Sequence, residues 1–203
     1  MGCGKIEKND RRYGYGIVVV LSLTMLVVVY GLALAFSPMV FFTNDDVAID
    51  YALSQPSNGL YSWIYYWVNP LLTSLLKPLY LLVDISWWYF FQQLLMSVCI
   101  FCMSFVLLRL PKYGEQSFCF TVVLVTIADL VLFCSRVGYV TFTATSAAAA
   151  CGFISLMVYE NTFDTKNKWQ NSLIKSTQAL LFVFAMTIRT ESGLAVLPFI
   201  LLD

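Results

Sequence analysis

The sequence predicts an all-α, polytopic transmembrane helix bundle with a long first outer loop that carries short surface helices. Three observations lead there. The chain has 203 residues, 60 % hydrophobic, and a mean hydropathy of +0.77, more apolar surface than a water-soluble domain of this size carries. The apolar runs are far longer than barrel strands and do not alternate, so helices must satisfy the backbone in lipid. Lys and Arg divide unevenly between successive connections, as they do when one side of a membrane is cytoplasmic.

The elements follow in order. Residues 1–16 form a basic tail with Lys5, Lys8, Arg11 and Arg12. Cys3 has no apolar region before it, so it is not a lipoprotein cysteine. Ile6 stands where a myristoylation pattern wants Ser or Thr. Span 1 is Ile17–Phe36, too long for a signal-peptide core and long enough to cross a bilayer. Residues 37–86 form the outer loop. It holds an acidic knot, TNDDVAID from Thr43 to Asp50, then a turn at Gln55–Gly59. An aromatic belt of Tyr61, Trp63, Tyr65, Tyr66 and Trp67 follows, a composition suited to the headgroup level. Span 2 covers Trp87–Leu108, span 3 Ser117–Phe133, span 4 Thr145–Tyr159 and span 5 Ser172–Ile188. Small residues at Thr145–Ala150 favour close helix approach. Arg189-Thr190-Glu191 interrupts the next apolar run, which turns outward there and begins a sixth span at Gly193–Leu202. No repeat divides the chain, and 1–203 reads as a single transmembrane domain that continues beyond Asp203.

Orientation follows from the basic residues. With the N-terminus in the cytoplasm, nine of the twelve Lys and Arg fall inside, and only Lys77, Arg136 and Arg189 fall outside. The chain is thus expected in the cell membrane, multi-pass, with the Asp45/Asp46 loop outside. Formal net charge is zero, which gives no footprint for nucleic acid. The absence of His excludes histidine metal sites and histidine bases. Of six cysteines, Cys99 and Cys102 make a CxxC inside an apolar run; packing is its expected use, not zinc or redox chemistry.

Charge is scarce, at 12 % of residues, so three carboxylates within six positions need a reason. Thr43 or Asn44 suits a helix cap with Asp45 and Asp46 in the first turn, and Thr43-x-x-Asp46 resembles a capping box. That accounts for two acids but not for Asp50, one turn on. The functional alternative makes Asp45 and Asp46 a general base with its support, or a pair holding a divalent metal. Asp129, inside span 3, costs roughly 2.5–3.5 kcal/mol at mid-membrane unless paired. Arg136 lies seven residues on, about 10 Å along the axis, and a structural Asp129–Arg136 pair is expected. Arg189 and Glu191 suit an anionic lipid headgroup, the arginine binding it and the glutamate orienting the arginine.

Taken together, FFTNDDVAIDYALSQPSNG, NPLLTSLLKPLYLLVDISWWYFFQ, GYVTFTATSAA and IRTESGLAVLPF resemble the GT-C type of membrane glycosyltransferase. The resemblance runs from about Phe41 to Phe199. It implies inverting transfer of a sugar from a polyprenyl-phosphate donor to an acceptor on the outer face, with membrane lipid as solvent and partner. Asp45 would then deprotonate the acceptor, and Asp46 would support it or bind a metal. Arg189, Glu191, Arg136 and Asp50 would line the substrate site. Members of that type have many more spans, so the chain is expected to be the N-terminal portion of a longer enzyme. Two other classes fit the composition: a non-enzymatic assembly subunit, in which the acids only cap a surface helix, and a small transporter with Asp129 and Arg136 on a polar path. The latter lacks the paired repeats and broken helices of transporters.

Overall fold

The computed structural model describes residues 14–37, 40–41, 43–55, 68–110, 115–163 and 168–198. Among them are eight helices. They are α1 (Tyr15–Phe36), α2 (Asn44–Ser54), α3 (Pro70–Leu82), α4 (Trp87–Arg109), α5 (Glu115–Gly138), α6 (Phe142–Thr162), α7 (Lys168–Ile188) and α8 (Thr190–Leu194). Five are long and apolar enough to cross a membrane: α1, α4, residues Phe118–Gly138 of α5, α6 and α7. The chain is a multi-pass membrane protein by the length and composition of these helices. Their outward surfaces expose Val20, Val27 and Leu34 on α1 and Phe120, Ile127 and Val131 on α5, apolar side chains suited to lipid.

Each helix runs past the apolar stretch that announced it. A helical backbone keeps its hydrogen bonds through the polar boundary, whereas hydropathy stops at the first polar residue. Thus α5 continues through Cys134–Gly138, and α6 begins at Phe142, capped by Thr141, whose Oγ1 accepts from the Ala144 amide at 3.0 Å. The expected break after span 5 is present: α7 ends at Ile188, Arg189 is non-helical, and α8 follows. The end of the expected sixth span lies outside the described residues, as does the aromatic belt Tyr61–Trp67.

Polar contacts set the register of neighbouring spans. Tyr30 of α1 donates to the Gln93 carbonyl of α4 at 2.8 Å and accepts from Ser97 at 2.7 Å. Gln93 Nε2 donates to the Val137 carbonyl near the end of α5 at 2.8 Å. Ser146 of α6 donates to the Ala185 carbonyl of α7 at 3.0 Å. These pairs alternate the direction of successive spans, so the end of α1, start of α4, end of α5, start of α6 and end of α7 share one end of the bundle. A two-residue parallel ladder closes that end, β1 (Val40–Phe41) pairing with β2 (Tyr139–Val140). At the opposite end the Tyr15 and Tyr159 hydroxyls meet. The Arg109 guanidinium lies 4.2 Å from the Tyr15 ring centroid, and Lys175 pairs with Glu160 at 3.2 Å.

The small residues of α6 do what their size allows. Ala148, Ala149 and Ala150 are buried. A Cβ on Gly152 would lie 3.2 Å from Leu181 Cδ1 and 3.5 Å from Cys99 Cα, so α6 is wedged between α4 and α7 by a missing side chain. Cys99 and Cys102 are buried free thiols, and the Cys99 sulfur would be 3.5 Å from that Cβ. The CxxC is therefore a packing element.

Candidate functional site

The acidic knot folds as its local chemistry dictates. Thr43 has the extended backbone of an N-cap, and its Oγ1 accepts from the Asp46 amide at 3.3 Å. The same hydroxyl donates to Asp46 Oδ2 at 2.6 Å. Asp45 and Asp46 fall in the first turn of α2, where the helix dipole favours negative charge.

Tertiary packing then separates the two acids. Asp46 is fully buried. Its Oδ1 accepts from Trp88 Nε1 at 3.0 Å, from Gln92 Nε2 at 2.8 Å and from the Phe142 amide at 3.2 Å. One carboxylate thus ties α2 to α4 and to the first residue of α6. Burial raises the Asp46 carboxyl above its ordinary range, and the donors from Thr43, Gln92, Trp88 and Phe142 pull it back. Asp46, expected to support Asp45 or to bind a metal, stands in the structure as a buried acceptor that holds the start of α2. Its oxygens are occupied by donors in a site closed to solvent, and donors converging on a point repel a cation. A divalent metal shared by Asp45 and Asp46 does not fit this arrangement. Among the described residues, no cluster of three or more Cys, Asp or Glu is placed to hold a metal.

Asp50, expected to line a substrate site, is likewise engaged as an acceptor within the fold. It takes hydrogen bonds from Tyr80 at 2.5 Å and Ser86 at 2.7 Å. Tyr80 in turn accepts from the Trp88 amide at 2.8 Å, and Ser86 Oγ caps α4 by accepting from the Tyr89 amide at 3.3 Å. Burial and the adjacent Asp50 carboxylate both raise the Tyr80 phenol, which keeps it a donor. Tyr80→Phe removes the donor to Asp50 and the acceptor of the Trp88 amide. We expect it to cost about 1–2 kcal/mol, read as a lower melting temperature in detergent, with Tyr51→Phe, an exposed ring on α2, as the neutral control.

Asp45 is the open acid of the pair. It is half-buried, and among the described residues no hydrogen bond or ion pair engages its carboxylate. Arg189 sits at the same end of the bundle. Its Nη1 donates to Thr143 Oγ1 at 2.6 Å, its Nε lies 3.4 Å from Glu191 Oε2, and its guanidinium lies 5.8 Å from the Phe142 ring centroid. The Arg189–Glu191 pair expected from the sequence is formed, with Glu191 the more exposed partner. Asp46 and Arg189 therefore grip adjacent residues of one helix start, Phe142 and Thr143. Arg136 is exposed near the end of α5, and the expected Asp129–Arg136 pair is not formed: Asp129 is buried against Ser104 instead, at 2.6 Å.

Trp88, Gln92 and the Thr141–Thr143 junction were missed in the sequence. Gln92-Gln93 inside an apolar span was the available signal, since buried amides in lipid need named partners. No family model, no curated protein and no solved structure matches the chain.

Proposed function

We propose that the chain is a membrane glycosyltransferase, or the N-terminal part of one, that moves a sugar from a polyprenyl-phosphate donor to an acceptor at the outer face. The observation that carries this reading is that a carboxylate with no partner among the described residues and a cation are held at the same end of the bundle. Asp45 adjoins Asp46, which binds the Phe142 amide, and Arg189 binds the next residue, Thr143. In the proposed reaction Asp45 takes the proton of the acceptor hydroxyl as that oxygen bonds to the anomeric carbon. The bond from that carbon to the lipid phosphate breaks on the opposite side, and the phosphate leaves with the electron pair. Arg189 stabilises the charge that develops there, and Glu191 orients Arg189. Asp46 and Asp50 act as positioning residues.

Two further features agree. The positive-inside asymmetry puts this end outside. Asn69, which caps α3, donates its amide to the Thr187 carbonyl at the end of α7, and Tyr80 binds the start of α4. In this reading α3, pinned at both ends to span termini, runs along the membrane boundary, and its outward Leu71, Leu75 and Leu82 meet lipid.

The test is sugar transfer from a synthetic polyprenyl-phosphate sugar, measured on the full-length protein in lipid. Asp45→Asn is expected to lower the rate about 100-fold at an unchanged melting temperature. An unchanged rate would remove the enzyme. A second reading, a non-enzymatic membrane subunit, draws on the burial of Asp46: a fully covered carboxylate serves assembly. It expects no transfer by the wild type.

A further inference from the structure

A second buried carboxyl lies deep in the bundle, away from the acidic end. Asp129, in the middle of α5, is 1 % exposed. Its Oδ2 lies 2.6 Å from Ser104 Oγ on α4. Ser104 Oγ also lies 2.7 Å from the carbonyl oxygen of Ile100, one turn earlier. A serine hydroxyl has one hydrogen, which Ser104 can give to Asp129 Oδ2 or to the Ile100 carbonyl but not to both in full. Among the described residues the carboxyl therefore has at most one neutral donor, too little to hold a charge in the middle of a span. A neutral carboxyl lets both contacts be hydrogen bonds, its own hydroxyl turning to Ser104 while Ser104 turns to Ile100.

The surroundings agree. α5 packs against α1 and α4. The inward face of α1 is Val18, Ser22, Met25, Val29 and Ala33, none of which titrates. Val18 and Met25 of α1 share a buried cluster with Leu108 of α4 and Val125 of α5. Ser22, Ser104 and Asp129 each lie within one turn of that cluster, so they sit near one depth. Of the ionisable groups of α4, Tyr89 accepts from Gln93, Cys99 faces Gly152, Cys102 is a buried thiol, and Arg109 covers Tyr15 and Phe163 at the opposite end. On α5 itself, Cys119 and Arg136 are exposed and Cys134 is half-buried. Tyr15 and Tyr30, near the two ends of α1, bond to Tyr159 and to Gln93 and Ser97. Among the described residues no cation pairs with Asp129.

We propose that Asp129 is an intramembrane proton-binding site. It stands as a neutral acid whose hydroxyl donates to Ser104 and closes the joint between α4 and α5. The inference is independent of the proposed enzyme.

The test is infrared spectroscopy of the full chain in lipid vesicles at neutral pH. The difference spectrum between wild type and Asp129→Asn is expected to contain the C=O stretch of a protonated carboxylic acid. Ser104→Ala is expected to keep that band and move it to higher frequency, as its hydrogen-bond acceptor is removed. Asp129→Asn, which also donates to Ser104, is expected to melt with wild type, whereas Asp129→Ala melts lower. A difference spectrum with only carboxylate bands would overturn the proposal. So would an acid band unmoved by Ser104→Ala, or an Asn variant as unstable as the Ala variant.

Discussion

Asp46→Ala is expected to loosen the whole acidic end of the bundle. The substitution strands three donors that no solvent reaches: Trp88 Nε1, Gln92 Nε2 and the Phe142 amide. Each buried, unpaired donor costs about 1–3 kcal/mol. Partial relaxation leaves a net loss of about 4 kcal/mol, on the order of 10 °C in melting temperature for a chain of this size. Asp46→Asn is the informative companion. The two donors from α4 bond to Oδ1, and the Phe142 amide is shared between Oδ1 and Oδ2, so an amide oxygen at the Oδ1 position keeps an acceptor for all three, and the amide nitrogen can donate to Thr43 Oγ1. Asn should therefore cost about 1 kcal/mol. Melting curves of both variants in detergent separate a structural acceptor from a residue whose charge is needed. If Asn destabilises as much as Ala, the charge itself holds the end together.

Gly152→Leu is expected to be the most damaging change within the spans. The first added carbon already stands 3.2 Å from Leu181 Cδ1 and 3.5 Å from the Cys99 backbone, and three further carbons have nowhere to go. Overpacking of this kind costs about 3 kcal/mol, felt as a lower melting temperature and separation of α6 from α4 and α7. Gly152→Ala is expected to change little, because the closest atom is the mobile end of a leucine and shifts by a few tenths of an ångström. The pair is read by thermal melting together with cross-linking of cysteines introduced at Leu95 and Ala148, on α4 and α6. A Leu variant that melts with wild type would mean that this contact does not hold the three helices.

The spans were legible because burial in lipid is a property of length and composition. Apolar runs such as Ile17–Phe36 need no partner to be recognised, and their ends moved by only a few residues once the backbone was followed through the polar boundary. The first turn of α2 was legible for a similar reason. A capping threonine three residues before an acid is a local device, and Thr43 bonds Asp46 as its spacing implies. The break at Arg189 was also written locally, since Arg and Glu cannot remain in hydrocarbon.

The roles of the acids were not legible. Asp45 and Asp46 are neighbours of identical chemistry, and the sequence reads both alike, as first-turn acids of a capped helix or as a reactive pair. What separates them arrives from Trp88, Gln92 and Phe142, which are 42, 46 and 96 residues away. Likewise Asp129 had Arg136 in reach along its own helix, yet Ser104 lies 25 residues back on another. On its own the sequence determined that five helices are long and apolar enough to cross a bilayer and that a polar knot follows the first, because transfer from water to lipid depends on each segment alone. Only the tertiary structure decided which carboxylates are covered and which stays open, because a hydrogen bond depends on where the chain brings its donors.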